Sequence, residues 1–123
     1  MFDFRRFLGR TGEQAAARFM KKNGCKILET NFRNLFGEID IIATDRDVIV
    51  FVEVKTRQEG GVISPKEAVT SKKQKTIAKV AESWLKSKNR YGAKARFDVI
   101  AIVSDNKTKR IEWVKNAFDT RSF

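Results

Sequence analysis

The stretch GEIDIIATDRDVIVFVEVKTR, residues 37–57, sets Glu38, Asp40, Glu53 and Lys55 into an otherwise Ile- and Val-rich pair of segments. Successive side chains of a strand point to opposite faces. Ile39, Ile41 and Ala43 with Val48, Val50, Val52 and Val54 therefore line one apolar face. The other face is apolar near the turn, with Ile42, Ile49 and Phe51, and charged at its far end. With the turn centred between Arg46 and Asp47, Thr44 faces Ile49, Ile42 faces Phe51, Asp40 faces Glu53 and Glu38 faces Lys55. Two ionised carboxylates ~5 Å apart repel by a few kcal/mol, so a cation must offset them. Mg²⁺, with Mn²⁺ as its substitute, suits one or two carboxylates plus water and phosphate oxygens. Lys55 adds an ammonium on the same face, placed to orient a water or to stabilise charge developing on a phosphate. The chemistry these residues suit is phosphodiester hydrolysis.

Positioning them requires a definite set of elements. A first helix is signalled by the capping-box pattern Thr11-x-x-Gln14 and should stop at Asn23-Gly24. On it Glu13 shares the apolar stripe of Ala16, Ala17 and Met20, which turns its carboxylate toward the sheet and adds it to the catalytic and metal-binding candidates. Strands are expected at residues 25–33, 38–44 and 48–55, followed by a glycine-bearing, mobile loop over 57–64. A second helix runs from Thr70 or Ser71 to about Lys88, with Ser71-x-x-Gln74 again of capping-box form. Ile77, Val80, Ala81, Trp84 and Leu85 share its apolar face, and Lys72, Lys75, Lys79 and Lys86 line the opposite one. Lys73 and Gln74 open the core-facing side, where they would touch a phosphate or a water at the site. Strands at 95–103 and 110–114 complete the order α, β, β, β, α, β, β, an α/β fold with a mixed β-sheet flanked by helices.

Composition bounds the alternatives. At 123 residues the chain is expected to be a single domain. Its 26 Lys and Arg against 15 Asp and Glu leave a net charge of +11, which calls for a polyanionic partner, nucleic acid before membrane. No apolar stretch is long enough to span a bilayer, and MFDFRRFLGR lacks the apolar segment and cleavage site of a secretory signal, so a cytoplasmic location is expected. With no His and Cys25 alone, a His/Cys zinc site, a Ser-His-Asp triad and an internal disulfide are excluded. Cys25 reads as a small buried hydrophobe.

Plainer structural roles exist for the same residues. The charged end of the hairpin also describes a solvated sheet face with a cross-strand salt bridge. Glu13 near a helix start complements the macrodipole. The lysine row is by default a wet helix face and becomes a nucleic-acid contact through the charge of the whole chain, as do Arg57, Lys66, Arg5, Arg6 and Arg10. Trp84, Trp113 and most of the ten Phe read as core, Asp98 as a capping or pairing residue, and Gly12 and Gly37 as turn positions.

GEIDIIA followed by VFVEVKTR, with GEQAAARFMKKNGCKILETNFR before and SPKEAVTSKKQKTIAKVAESWL, RFDVIAI and NAF after, resembles the YraN-like family of small bacterial proteins from about Gly9 to Phe118. Members are described as predicted endonucleases similar to archaeal Holliday junction resolvases, within the PD-(D/E)XK nuclease superfamily. The resemblance implies a restriction-endonuclease-like αβββαβ core. It also implies an acidic residue on the first helix, an Asp on the second strand and Glu-x-Lys on the third, which fall on Glu13, Asp40, Glu53 and Lys55. Ile39 stands where the literal motif has Pro, and Gln74 is followed by Ala78 where some relatives carry Tyr. The expected mechanism is then Mg²⁺-dependent cleavage of DNA, branched or structured DNA included. Asp40, Glu53, the Val54 carbonyl and Glu13 hold metal, Lys55 assists the attacking water, and Glu38 supports Lys55. A non-catalytic module binding DNA or RNA is the rival reading, and a homodimer would suit a two-fold substrate.

Overall fold

The computed structural model describes residues 4–58, 69–104 and 108–119, with side chains over 12–57, 69–104 and 108–119. Seven elements follow in the order α1 (Phe4–Lys22), β1 (Lys26–Asn34), β2 (Gly37–Asp45), β3 (Val48–Gln58), α2 (Ser71–Ser87), β4 (Ala95–Ser104) and β5 (Lys109–Phe118). The strands form one sheet in the order β1-β2-β3-β4-β5. All neighbours are antiparallel except β3 and β4, which run parallel with α2 as their crossover. Parallel neighbours cannot be joined by a hairpin, so a helix must carry the chain back. This is the α/β, mixed-sheet arrangement expected from the sequence, and it is compatible with a restriction-endonuclease-like core.

Each face of the sheet carries one helix. Ile39, Ile42, Ile49, Phe51 and Val99 pack with Ile77, Val80, Ala81 and Trp84 of α2. Ile41, Ala43, Val50, Val52, Ile100 and Ile102 pack with Ala16 and Met20 of α1. The core-facing residues of α2 are those its 3.6-residue spacing selects, and Lys72, Lys75, Lys79 and Lys86 are exposed.

Several boundaries differ from expectation. Helix α1 begins at Phe4, so Thr11-x-x-Gln14 lies inside it rather than at a cap. A lone Thr or Gly costs a helix interior no more than about 1 kcal/mol, which neighbouring packing overrides. Its end is where Asn23-Gly24 places it, with Gly24 at φ +89° and the Cys25 N–H donating to the Met20 carbonyl. The cap of α2 is Thr70, whose Oγ1 accepts from Lys73 N at 3.2 Å, not Ser71. Strand β3 continues to Gln58, paired with β4 as far as Ser104, so the expected loop start belongs to the sheet. Strand β5 extends past 114 to Phe118 around an irregularity anchored by Asp98. That fully buried carboxylate accepts from Trp113 Nε1 at 2.8 Å, Asn116 N at 2.8 Å and Arg96 Nε at 3.0 Å, the pairing role its sequence position implies. Lys66, the side chains of Arg5, Arg6 and Arg10, and residues 59–64 of the expected loop lie outside the described residues.

Neither Gly12 nor Gly37 is simply a turn residue. Gly12 lies within α1, where an added Cβ would stand 2.8 Å from Thr56 Oγ1 of β3. Gly37 opens β2 at φ +153°, with an added Cβ 2.7 Å from Thr76 Cγ2 of α2. Both glycines let a helix approach the sheet closely, one on each face.

Candidate active site

The β2–β3 register is the expected one where the ladder is paired: Thr44 faces Ile49, Ile42 faces Phe51, and the pairing runs to Ile41 opposite Val52. Beyond that point the strands part. Ile39 packs on the α2 side and Ile41 on the α1 side, although strict alternation puts them on one face. The pleat therefore slips at Asp40. Instead of a backbone carbonyl, Asp40 Oδ2 accepts the Val54 N–H at 2.8 Å. A side chain has taken a ladder position, and its carboxylate is fixed in the opening between the two strands.

Helix α1 delivers Glu13 to the same opening. Single carboxylate oxygens of Glu13, Glu38 and Asp40 all lie within 4.8 Å of one another, a set able to hold a cation among the described residues. At that spacing each ionised pair repels by about 3 kcal/mol at an effective dielectric of ~20. Burial, then the charge of Glu53 and contact with Glu13, pushes the Asp40 carboxyl up to about 8, against the hydrogen bond from Val54 N. Burial also raises Glu13, helped by the charges of Glu38 and Glu53 and opposed by side-chain hydrogen bonds with Asp40 and Asn31. Asn31 reaches it from β1 in a left-handed conformation, φ +53°. Glu13 Oε2 is nonetheless buried with no amide, amine or hydroxyl donating to it.

Glu53 stands slightly apart. It is 7 % exposed, and its Oε1 lies 3.1 Å from Lys55 Nζ and 3.9 Å from Lys73 Nζ. Its charge acts on Asp40, but it is not one of the three clustered carboxylates. The expected Glu38–Lys55 support is replaced. Glu38 pairs with Arg33 at 2.5 Å, its cross-strand neighbour on β1, while Lys55 is held by Glu53. The β2–β3 pairing ends at Ile41 opposite Val52, so Lys55 is not brought across from Glu38, whose paired neighbour is Arg33 on the other side of β2. Val54 enters through its N–H.

Other candidates divide by position. Lys73, in the first turn of α2, reaches the site through Glu53. Gln74 Nε2 donates to the Val69 carbonyl at 2.9 Å, which fixes the chain entering α2. Arg57 Nη1 donates to the Thr56 carbonyl at 3.0 Å. Lys72, Lys75 and Lys79 continue along α2, and Lys86 near its end pairs with Glu82 at 3.5 Å and lies over the Tyr91 ring. Reasoning from sequence passed over Asn31 and Arg33. An Asn in mid-strand, a residue that tolerates positive φ, is the signal that marked the first.

The sequence matches the model of the uncharacterised protein family UPF0102 over residues 12–102. The chain belongs to this family. A UPF0102 protein of Pelotomaculum thermopropionicum is 42% identical over 120 residues, 96% of this chain and 100% of its own length. One from Geotalea daltonii is 50% identical over 113 residues, 91% of this chain and 89% of its own, and one from Geobacter metallireducens 48% identical over 112, 91% and 92%. The UPF0102 match begins at Gly12, so Glu13, Asn31, Arg33, Glu38, Asp40, Glu53, Lys55 and Lys73 all fall inside it.

Proposed function

We propose that this UPF0102 protein is a metal-dependent endonuclease that hydrolyses phosphodiester bonds in DNA, with branched or otherwise structured DNA among its substrates. The observation that carries the reading is the buried, donorless Glu13 Oε2 beside Asp40 and Glu38, three carboxylates converging where the sheet opens. A hard divalent cation fits that donor set, since oxygen ligands of net negative charge are what Mg²⁺ or Mn²⁺ takes. Asp40 and Glu13 are the residues to hold it, with Glu38 or Glu53 completing the set. Bound there, the ion supplies Lewis-acid neutralisation of the phosphate's charge.

The chain's own groups do the rest. The Val54 N–H holds Asp40 Oδ2 and so fixes that carboxylate beside those of Glu13 and Glu38. Glu53 holds the Lys55 ammonium at 3.1 Å, where it can orient a water for in-line attack or meet charge on the departing oxygen. Lys73, at the N-terminal end of α2, offers a second ammonium to the phosphate, where the helix dipole also favours an anion. From Lys73 to Lys86 the helix covers ~20 Å, about six base steps, so Lys72, Lys75 and Lys79 can follow a DNA backbone away from the cut.

Purified protein incubated with branched, duplex and single-stranded DNA and with RNA, in Mg²⁺, Mn²⁺ or EDTA, tests this. Metal-dependent cutting of DNA that Asp40→Ala or Lys55→Ala abolishes while binding persists supports the reading. The identically purified variants control for a contaminating nuclease. A second reading, a nucleic-acid-binding module without catalysis, draws on Glu53 being engaged by two lysines. Binding of DNA or RNA that is indifferent to metal, with no cutting, would establish it.

A further inference from the structure

The turn between β1 and β2 carries two large apolar side chains that belong to neither core cluster. Leu35 is 88% exposed and Phe36 46%. Turn tips ordinarily hold Gly, Asn, Asp or Ser, whose conformations or side-chain hydrogen bonds suit the bend. Leu and Phe supply neither, and in water they expose surface that costs free energy. The tip is also tied to its surroundings. Asn34 Oδ1 accepts the Phe36 N–H at 2.9 Å, and Gly37 seats the strand start directly on Thr76 of α2.

Charged groups stand on both sides of it. The Arg33 side chain, 66% exposed and paired with Glu38, flanks the tip, and Lys72 and Lys79 lie four residues before and three after Thr76 on the same helix, about a turn from the seat. Phe36 is two residues from Glu38 and four from Asp40, or ~7 and ~13 Å along an extended strand. At ~3.4 Å per base step, that is a reach of two to four steps from the acidic cluster. An exposed apolar pair on a hydrogen-bonded turn, a few base steps from the acidic cluster and near the α2 lysines, has the chemistry to meet the interior of a base stack.

We propose that Leu35 and Phe36 form a wedge that enters between bases two to four steps from the phosphate being cut, making the protein select nucleic acid whose stacking is already interrupted. Apolar side chains inserted at a base step unstack it, and the cost is least where pairing or stacking is already broken. A branch point, nick or flap is thereby preferred over continuous duplex. The placement near the cut rests on the nuclease reading above; the insertion itself does not.

The test is run in EDTA, where no cutting can intervene. A three-way DNA junction carries 2-aminopurine next to the branch point, a matched duplex carries it mid-helix, and anisotropy gives the affinities in parallel. The wild-type protein is expected to raise the fluorescence of the junction severalfold. The Leu35→Ser/Phe36→Ser variant should lose that rise and about tenfold of its preference for the junction, while duplex affinity, set by phosphate contacts, stays within about twofold. Phe36→Tyr should retain the rise, and Phe36→Ser alone, checked by thermal melting, covers a double variant that folds poorly. No rise with the wild type, no DNA binding at all, or a folded serine variant with unchanged rise and preference would overturn the wedge. Cutting assays in Mg²⁺ separate the two proposals. A wedge signal without cutting sinks the nuclease and spares the wedge; cutting with junction preference untouched in the serine variant does the reverse.

Discussion

Asp40 concentrates the physical tension of the molecule. A carboxyl pushed up to about 8 by burial and by its acidic neighbours keeps its proton at neutral pH, whereas the unfolded chain has lost it above about 4. The folded state thus binds more protons than the unfolded across that window, so metal-free stability falls as pH rises from about 4 to about 8 and then levels. Under the proposed function, a divalent ion would have to displace the proton. Its apparent affinity should rise with pH by up to about tenfold per unit below 8, with close to one proton released per ion at pH 7. Titration calorimetry with Mn²⁺ in buffers of differing ionisation enthalpy measures that release directly, and Asp40→Asn should abolish it. The same variant should melt higher than wild type in EDTA at pH 8, because one of the repelling charges is gone. Affinity that does not change between pH 6 and pH 8 would count against a metal at Asp40. The identities of Glu13, Asp40, Glu53 and Lys55 were legible from residue type and period-two spacing. Which carboxylates touch was not, because alternation assumes an unbroken pleat and the pleat slips at Asp40, bringing Glu38 into the cluster and leaving Glu53 to the lysines.

At the level of elements, the site depends on how closely α1 lies on β3. Gly12 is adjacent to Glu13, and a methyl there would meet Thr56 Oγ1 at 2.8 Å, closer than Cβ atoms approach such groups. Gly12→Ala improves helix propensity by nearly 1 kcal/mol, yet crowding against a β-branched side chain costs typically 1–3. The variant is expected to melt lower and, under the nuclease reading, to cut at least tenfold more slowly because Glu13 is displaced. Thr56→Ala should restore both, since it removes the obstructing oxygen, and the double-mutant cycle reports their coupling. Two independent losses that simply add would mean that the helix does not rest on this contact. Gly37→Ala offers a control on the opposite face: it faces both Thr76 and a left-handed φ, and should destabilise by about 2 kcal/mol with no single compensating change. These contacts were hidden from sequence reading. A glycine's chemistry marks either a turn or a close approach, and only the packing partner decides which. Likewise β5 read short because Lys115 and Asn116 interrupt its alternation, and the buried Asp98 that holds the irregularity lies on another strand.

Across the whole molecule, order and element type followed from hydrophobic period, while strand order in the sheet did not, since the parallel β3–β4 pair joins segments separated by α2. That crossover has a functional consequence. It sets the exit of β3, bearing Glu53 and Lys55, beside the entry of α2, bearing Lys73, so the lysine face of the helix begins where the acidic cluster ends. A chain of net charge +11 therefore has the carboxylates of Glu13, Glu38, Asp40 and Glu53 gathered about one opening and a cationic track leading away from it. Such an arrangement should bind DNA by counterion release, with the logarithm of affinity falling linearly against the logarithm of salt at a slope of about −0.9 per phosphate contacted. If Lys72, Lys75, Lys79 and Arg57 each meet one phosphate, their share of the slope is about −3.6. Replacing Lys72 and Lys79 with Gln should make it shallower by nearly 2 and weaken binding to all sequences alike, in EDTA and in Mg²⁺. Lys86 is engaged by Glu82 and Tyr91 at the far end of the helix, and Lys86→Gln should change the slope by less than half as much as either of the others. Equal slopes for wild type and the Lys72/Lys79 variant would place the polyanion on another face of the protein.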